Sequence, residues 1–171
     1  MRLFLAIELD ECVKDTLCAY QTSLKQMGAH GRFVRRENMH LTLVFLGETG
    51  RVREIRSAMD AVKEHPFPLR TGDLGRFRRS GGDILWVGAR PDEALIRVQG
   101  TLCRELAKRG FQIEDRSYTP HLTIGREVTD ASIEAVVKSN ATMQVQAISL
   151  MKSERIDGKL VYTRVAQREL V

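Results

Sequence analysis

The chain has 171 residues, 43% hydrophobic and 29% charged, a composition suited to one soluble globular domain with a sizeable core. No apolar run approaches the ~20 residues that cross a bilayer, and the apolar start Met1–Ile7 is too short for a signal peptide. The net charge of +5 rests on Arg over Lys, 20 to 7, and the planar Arg fork suits phosphate oxygens, so phosphorylated or nucleic-acid ligands are the partners to consider.

In chain order, Arg2 to Leu9 is rich in strand formers and reads as a buried strand. Asp10 is placed to cap a helix carrying Val13, Leu17, Leu24 and Met27 on one stripe, stopped by Gly28 and Gly31. Phe33 to Arg35 reads as a short strand, and His40 to Leu46 as a longer one ended by Gly47. Val52, Ile55, Met59 and Val62 give a second helix from 52 to 63, broken by Pro66 and Pro68. Two strands follow, Pro68 to Leu74 and Ile84 to Ala89, separated by a basic turn over 75–83 that its composition predicts to be mobile.

Pro91 opens a third helix with Leu95, Val98, Leu102 and Leu106 facing inward, and Gly110 ends it. A short strand is predicted over 111–114, then a strand from His121 to Arg126. Asp130 is predicted to cap a brief helix reaching Val137. Met143 to Lys152 and Lys159 to Glu169 read as two closing strands joined at Asp157-Gly158. The three cysteines, Cys12, Cys18 and Cys103, show no Cys-x-x-Cys spacing and are expected to be reduced, partly buried thiols of a cytoplasmic protein.

One pattern occurs twice. His40-Leu41-Thr42-Leu43 and His121-Leu122-Thr123-Ile124 share the order His, Leu, Thr, aliphatic, and lie 81 positions apart. Strand alternation puts each His with its Thr on one face and the aliphatics on the other. Two such matches among four histidines arise by accident with a chance on the order of one per cent at ordinary residue frequencies. Because helices and strands recur around each copy, the economical fold is two related α+β lobes facing each other across a cleft.

The chemistry that wants this pair is the opening of a phosphodiester. Attacking water and leaving oxygen lie roughly in line through phosphorus, so one group must accept a proton on one side and another must donate on the other. Histidine does both near neutral pH. The two threonine hydroxyls, on the same faces, can donate to the non-bridging oxygens where charge develops. No carboxylate lies in either motif and there is no His-x-His, so no third metal ligand is evident and neither metal nor cofactor is expected.

Together with Arg2 to Ile7, the run Glu37 to Gly47, Leu85-Trp86-Val87-Gly88 and the closing Ser149 to Thr163 segment, these motifs resemble the two-histidine (2H) phosphoesterase superfamily. The similar branch is that of the RNA 2′,3′-cyclic phosphodiesterases, also called 2′-5′ RNA ligases. The resemblance implies an α+β fold over 1–171: two pseudo-symmetric lobes, each with an antiparallel sheet and outer helices, around a central cleft. It implies metal-independent hydrolysis of a terminal 2′,3′-cyclic phosphate to a 2′-phosphate, with ligation to a 2′-5′ bond as the reverse direction. His40 would then be the general acid, His121 would orient or deprotonate water, and Thr42, Thr123 and Arg126 would hold the phosphate.

Phe33, Arg35 and Arg36 are candidate RNA contacts, Phe33 by stacking a base. The partners so implied are RNA ends bearing a 2′,3′-cyclic phosphate, tRNA halves or small nucleotides among them, acting on a monomer away from any membrane. Alternatives that keep the motif are a diesterase of a small cyclic nucleotide or ADP-ribose cyclic phosphate, and a non-catalytic RNA-binding module.

Overall fold

A computed structural model describes all 171 residues. The strands are β1 (Arg2–Glu8), β2 (His30–Phe33), β3 (His40–Glu48), β4 (Phe67–Phe77), β5 (Asp83–Ala89), β6 (His121–Thr129), β7 (Thr142–Val145), β8 (Ala147–Ile156) and β9 (Lys159–Glu169). Three helices accompany them: α1 (Glu11–Gln26), α2 (Val52–Asp60) and α3 (Glu93–Lys108). They form a four-stranded sheet in the order β3-β1-β8-β9 and a five-stranded sheet in the order β2-β6-β5-β4-β7. Every pairing is antiparallel.

The lobes are not the two halves of the chain. The four-stranded sheet takes β1 and β3 from the start and β8 and β9 from the end. Helix α1 packs on β6 and β7 of the five-stranded sheet, whereas α2 and α3 pack on each other and reach β9 and β3 of the other sheet. One contiguous core of 37 buried residues draws on both sheets and all three helices.

Alternation explains which side of each strand faces that core. Along β1, Leu3, Leu5 and Ile7 point into it, while Phe4 and Ala6 join Met151 and Tyr162 in a small cluster on the opposite face, the cleft face. Each motif strand carries two register shifts, one of them just beyond its threonine. Val44 lies opposite Leu5 and Thr42 opposite Ala6, so Leu43 is extra in β3. Gly125 lies opposite Leu85 and Thr123 opposite Trp86, so Ile124 is extra in β6. Such bulges bend the strand and re-aim the side chains beyond them.

Several expectations are corrected. The segment from Met143 to Lys152 is not one strand: β7 pairs with β4 and β8 with β1, the chain changing sheets at Gln146. No strand forms over 111–114, where the chain runs irregularly towards His121. Asp130 has φ 58° and caps nothing; only a short 3₁₀ turn, Ile133–Ala135, comes after it. The second helix stops at Asp60, and the strand before β3 is His30–Phe33, earlier than the 33–35 expected. Cys12 is exposed, not partly buried.

The basic turn, predicted mobile, is tied at its base. β4 runs on to Phe77, and the buried Asp83 carboxylate accepts from Arg76 at 3.1 Å and from the Arg79 backbone N–H at 3.4 Å. Asp157 and Gly158, with φ 51° and 75°, make the β8–β9 turn as expected.

Candidate active site

β3 and β6 approach each other between the two sheets, each opening on its histidine. The two imidazoles are held alike. His40 Nδ1 is 2.7 Å from the carbonyl oxygen of Asn38, and His121 Nδ1 is 2.7 Å from that of Thr119. A carbonyl oxygen only accepts, so Nδ1 carries the hydrogen in both rings. In the neutral form each Nε2 is therefore the basic nitrogen. In the protonated form it is the donor.

The rings differ in surroundings. His40 lies among aromatic groups, with Phe4 at 5.0 Å and Tyr162 edge-on at 5.2 Å between ring centroids. Its Nε2 accepts from the Thr42 hydroxyl at 2.9 Å. Burial pulls its pKa below the ordinary 6.5; the Asn38 bond opposes this, and the positive charges of Arg126 and His121 reinforce it. Glu8, opposite His40 on β1, does not relieve it. That carboxylate is committed to Ser149 at 2.6 Å and Arg164 at 2.8 Å. Burial would raise the pKa of Glu8, but these bonds outweigh it and hold the carboxylate low.

His121 meets Phe77 edge-on at 5.2 Å, with Trp86 at 6.2 Å. Trp86 lies across Gly75, where a Cβ would stand only 2.3 Å from the indole ring. Glycine at that position lets the indole lie flat beside the histidine. The Thr123 side chain, on the same face as His121, makes no hydrogen bond within the protein.

Arg126 is five residues beyond His121, an odd spacing that strict alternation would send to the opposite face. The bulge at Ile124 reverses this, and the charge of Arg126 acts on both His40 and Tyr162 across the cleft. Its counterpart five residues beyond His40 is Phe45, 60% exposed, re-aimed by the matching bulge at Leu43. The second motif thus ends in a cation and the first in an aromatic ring.

A family model described as the 2′-5′ RNA ligase superfamily matches residues 13–157, most of the chain. The chain belongs to that superfamily. A relative from Methanothermobacter thermautotrophicus, named RNA 2′,3′-cyclic phosphodiesterase, is 32% identical over 95% of this chain and 95% of its own length. One from Escherichia coli with the same name is 30% identical over 95% of this chain and 92% of its own. The crystal structure of E. coli LigT in apo form superposes with a TM-score of 0.84 at 26% identity, covering 99% of this chain and 96% of that one.

Of the candidates read from the sequence, the structure brings His40, His121 and Arg126 together, with Thr42 and Thr123 on the same strand faces as their histidines. It does not bring Phe33 or Arg36 to them. Phe33 packs on the core under the Lys25 ammonium, 4.8 Å from its ring, and beside Gly125. Arg36 is committed to Glu11 at 2.5 Å and Asp15 at 2.8 Å on α1. Arg35 pairs with Glu37 at 3.0 Å and donates to the Leu160 carbonyl at 2.6 Å, bracing the β9 arm.

Sequence reasoning missed Phe4, Tyr162, Phe77 and Trp86 around the histidines. Strand parity with the motif residues was the signal for Phe4. The other three depend on how the sheets curve. No group of three or more His, Cys, Asp and Glu side chains is arranged to hold a metal ion.

Proposed function

We propose that the protein is an RNA 2′,3′-cyclic phosphodiesterase that opens a terminal ribose 2′,3′-cyclic phosphate to the 2′-phosphomonoester without a metal, acting as one unit of two lobes. The observation that carries this reading is the paired Nε2 geometry: both Nδ1–H groups are occupied by backbone carbonyls, which leaves both Nε2 atoms for proton transfer. The superfamily relatives carry the same activity in their names. Water attacks phosphorus as His121 Nε2 takes its proton. The bond to the 3′-oxygen breaks as His40 Nε2–H donates to it. Thr42, Thr123 and Arg126 hold the non-bridging oxygens, where each well-placed donor supplies roughly 3–4 kcal/mol of transition-state stabilisation.

The electrostatics add a step to this scheme. Burial holds the His40 pKa below its ordinary value, so without substrate the ring is neutral at pH 7, and its Nε2 is capped by Thr42. A bound phosphodiester brings negative charge beside it and offsets Arg126. His40 then takes up its proton as substrate binds, and the Thr42 hydroxyl is released to donate to phosphate.

The test is a short RNA ending in a 2′,3′-cyclic phosphate, incubated with the protein in excess EDTA. Conversion to the 2′-phosphate, reduced about 10²–10⁴-fold in His40→Ala and in His121→Ala, is expected. Wild-type turnover in both variants, or dependence on added metal, would overturn the proposal.

A further inference from the structure

Two arginines with no ion-pair partner converge on one tyrosine at the edge of the cleft. Arg2, Ser153 and Tyr162 form a row across β1, β8 and β9, Arg2 opposite Ser153 and Ser153 opposite Tyr162. Neighbouring strands lie about 4.8 Å apart, so Arg2 and Tyr162 stand about 10 Å apart at their Cα atoms, within the combined reach of two long side chains. Regular alternation along β1 places Arg2 on the same face as Phe4, whose ring meets Tyr162 at 5.0 Å. Arg126 approaches the phenol from the other sheet, and the charges of both arginines act on it.

Nothing acidic balances Arg2. Glu48, opposite it on β3, is paired with the Met1 amino group at 3.3 Å, and Glu154 with Lys152 at 2.6 Å. Arg2 is exposed, and neither the Tyr162 hydroxyl nor the Ser153 hydroxyl makes a hydrogen bond within the protein. Two unengaged hydroxyls and the Arg2 cation, in a row that reaches Tyr162 beside His40, form a receptor for an anion other than the one reacting between the histidines.

We propose that Arg2, Ser153 and the Tyr162 hydroxyl form a second phosphate subsite, which receives the 5′-phosphate of the terminal nucleotide, the internucleotide phosphodiester when the substrate is RNA. This rests on the cyclic phosphodiesterase reading and adds to it how the enzyme tells a chain end from a free nucleoside. A nucleoside 2′,3′-cyclic phosphate with a 5′-hydroxyl leaves the subsite empty. The same compound with a 5′-phosphate, or an oligonucleotide, fills it.

The experiment compares adenosine 2′,3′-cyclic phosphate with and without a 5′-phosphate, on wild type and on Arg2→Gln, at fixed low salt. Wild type is expected to favour the 5′-phosphorylated compound in kcat/KM by at least about tenfold, the scale of one charge-assisted hydrogen bond. Arg2→Gln is expected to erase that preference while leaving hydrolysis of the 5′-hydroxyl compound unchanged. Equal use of the two compounds by wild type overturns the subsite. So does an equal loss on both in Arg2→Gln, which would assign Arg2 to the reacting phosphate. If wild type hydrolyses neither compound, the proposed activity falls, and titration of the same two ligands still reads the subsite: equal affinities overturn it.

Discussion

The hydroxyl of Tyr118 donates to the backbone carbonyl of Thr42 at 2.9 Å, tying the segment that leads into one motif to the strand of the other. Thr119, the next residue, supplies the carbonyl that orients His121, and Thr42 supplies the hydroxyl that caps His40. Burial pushes the Tyr118 phenol far up, so it stays a donor at any physiological pH. This phenolic hydrogen bond therefore links the two halves of the site directly, on top of the core they share.

Tyr118→Phe keeps the ring and removes this bond. We expect kcat to fall several-fold with KM little changed, because misplacement of the order of 1 Å can reduce turnover by up to about 10². Stability should drop by about 1 kcal/mol. Steady-state kinetics with a urea denaturation curve checks both; unchanged kcat with the same stability loss would assign the bond to structure alone.

His40 gives kinetics a signature. In its proposed role as general acid it must be protonated, and burial holds its pKa in the free protein below the ordinary 6.5. kcat/KM, which reports the free enzyme, should decline as pH rises through that depressed value. kcat reports the complex, where bound phosphate lifts the same pKa, so its alkaline limb should lie at higher pH. Coincident alkaline limbs would remove the proton-uptake step. A kcat/KM that instead rises through the lower pKa would make His40 the base.

The same shift appears in stability. Between the unfolded pKa of about 6.5 and the lower folded one, the unfolded chain binds a proton that native His40 refuses, so stability falls as pH falls. A decline in the urea midpoint from pH 7 towards pH 5 is expected, above the range where ordinary carboxylates titrate. His40→Gln should flatten part of it; an identical slope in the variant would exclude His40 as its source.

Gly75→Ala tests the aromatic bed of His121. The new methyl would overlap the Trp86 indole, so the ring must lift from the sheet, an overpacking strain of about 1–3 kcal/mol. Trp86 is the chain's one tryptophan, so its emission reads the displacement directly. We expect a shifted emission maximum with reduced kcat. A normal spectrum in a protein of normal activity would show that the ring is not constrained there.

The paired histidines, His40 and His121, were legible because their motif is written twice and because strand parity joins each His to its Thr. Helix α1 was legible from its Asp10 cap and α3 from its apolar stripe. Arg126 was assigned to the cleft only through family likeness, since its odd spacing from His121 hides a bulge that depends on pairing with β5. The join between β7 and β8 did leave a trace: inward residues are Met143 and Val145 before it and Ile148 and Leu150 after it, a slip in the period of two. Phe33 misled because an aromatic between arginines resembles a stacking site, whereas its partners, Lys25 and Gly125, are settled by how α1 and β6 meet.

The strand order has a consequence for biosynthesis. β1 is made first and sits between β3 and β8, so one of its edges has no partner until residue 147 and beyond have been translated. Its run Leu3-Phe4-Leu5-Ala6-Ile7 is an apolar edge, a template for pairing with another chain while it waits. Closure joins β1 to β8, residues about 150 positions apart, a contact of large sequence separation that makes folding slow. Overproduction at lower temperature, or with chaperones that shield nascent strands, should therefore raise the soluble yield more than any change to the cleft.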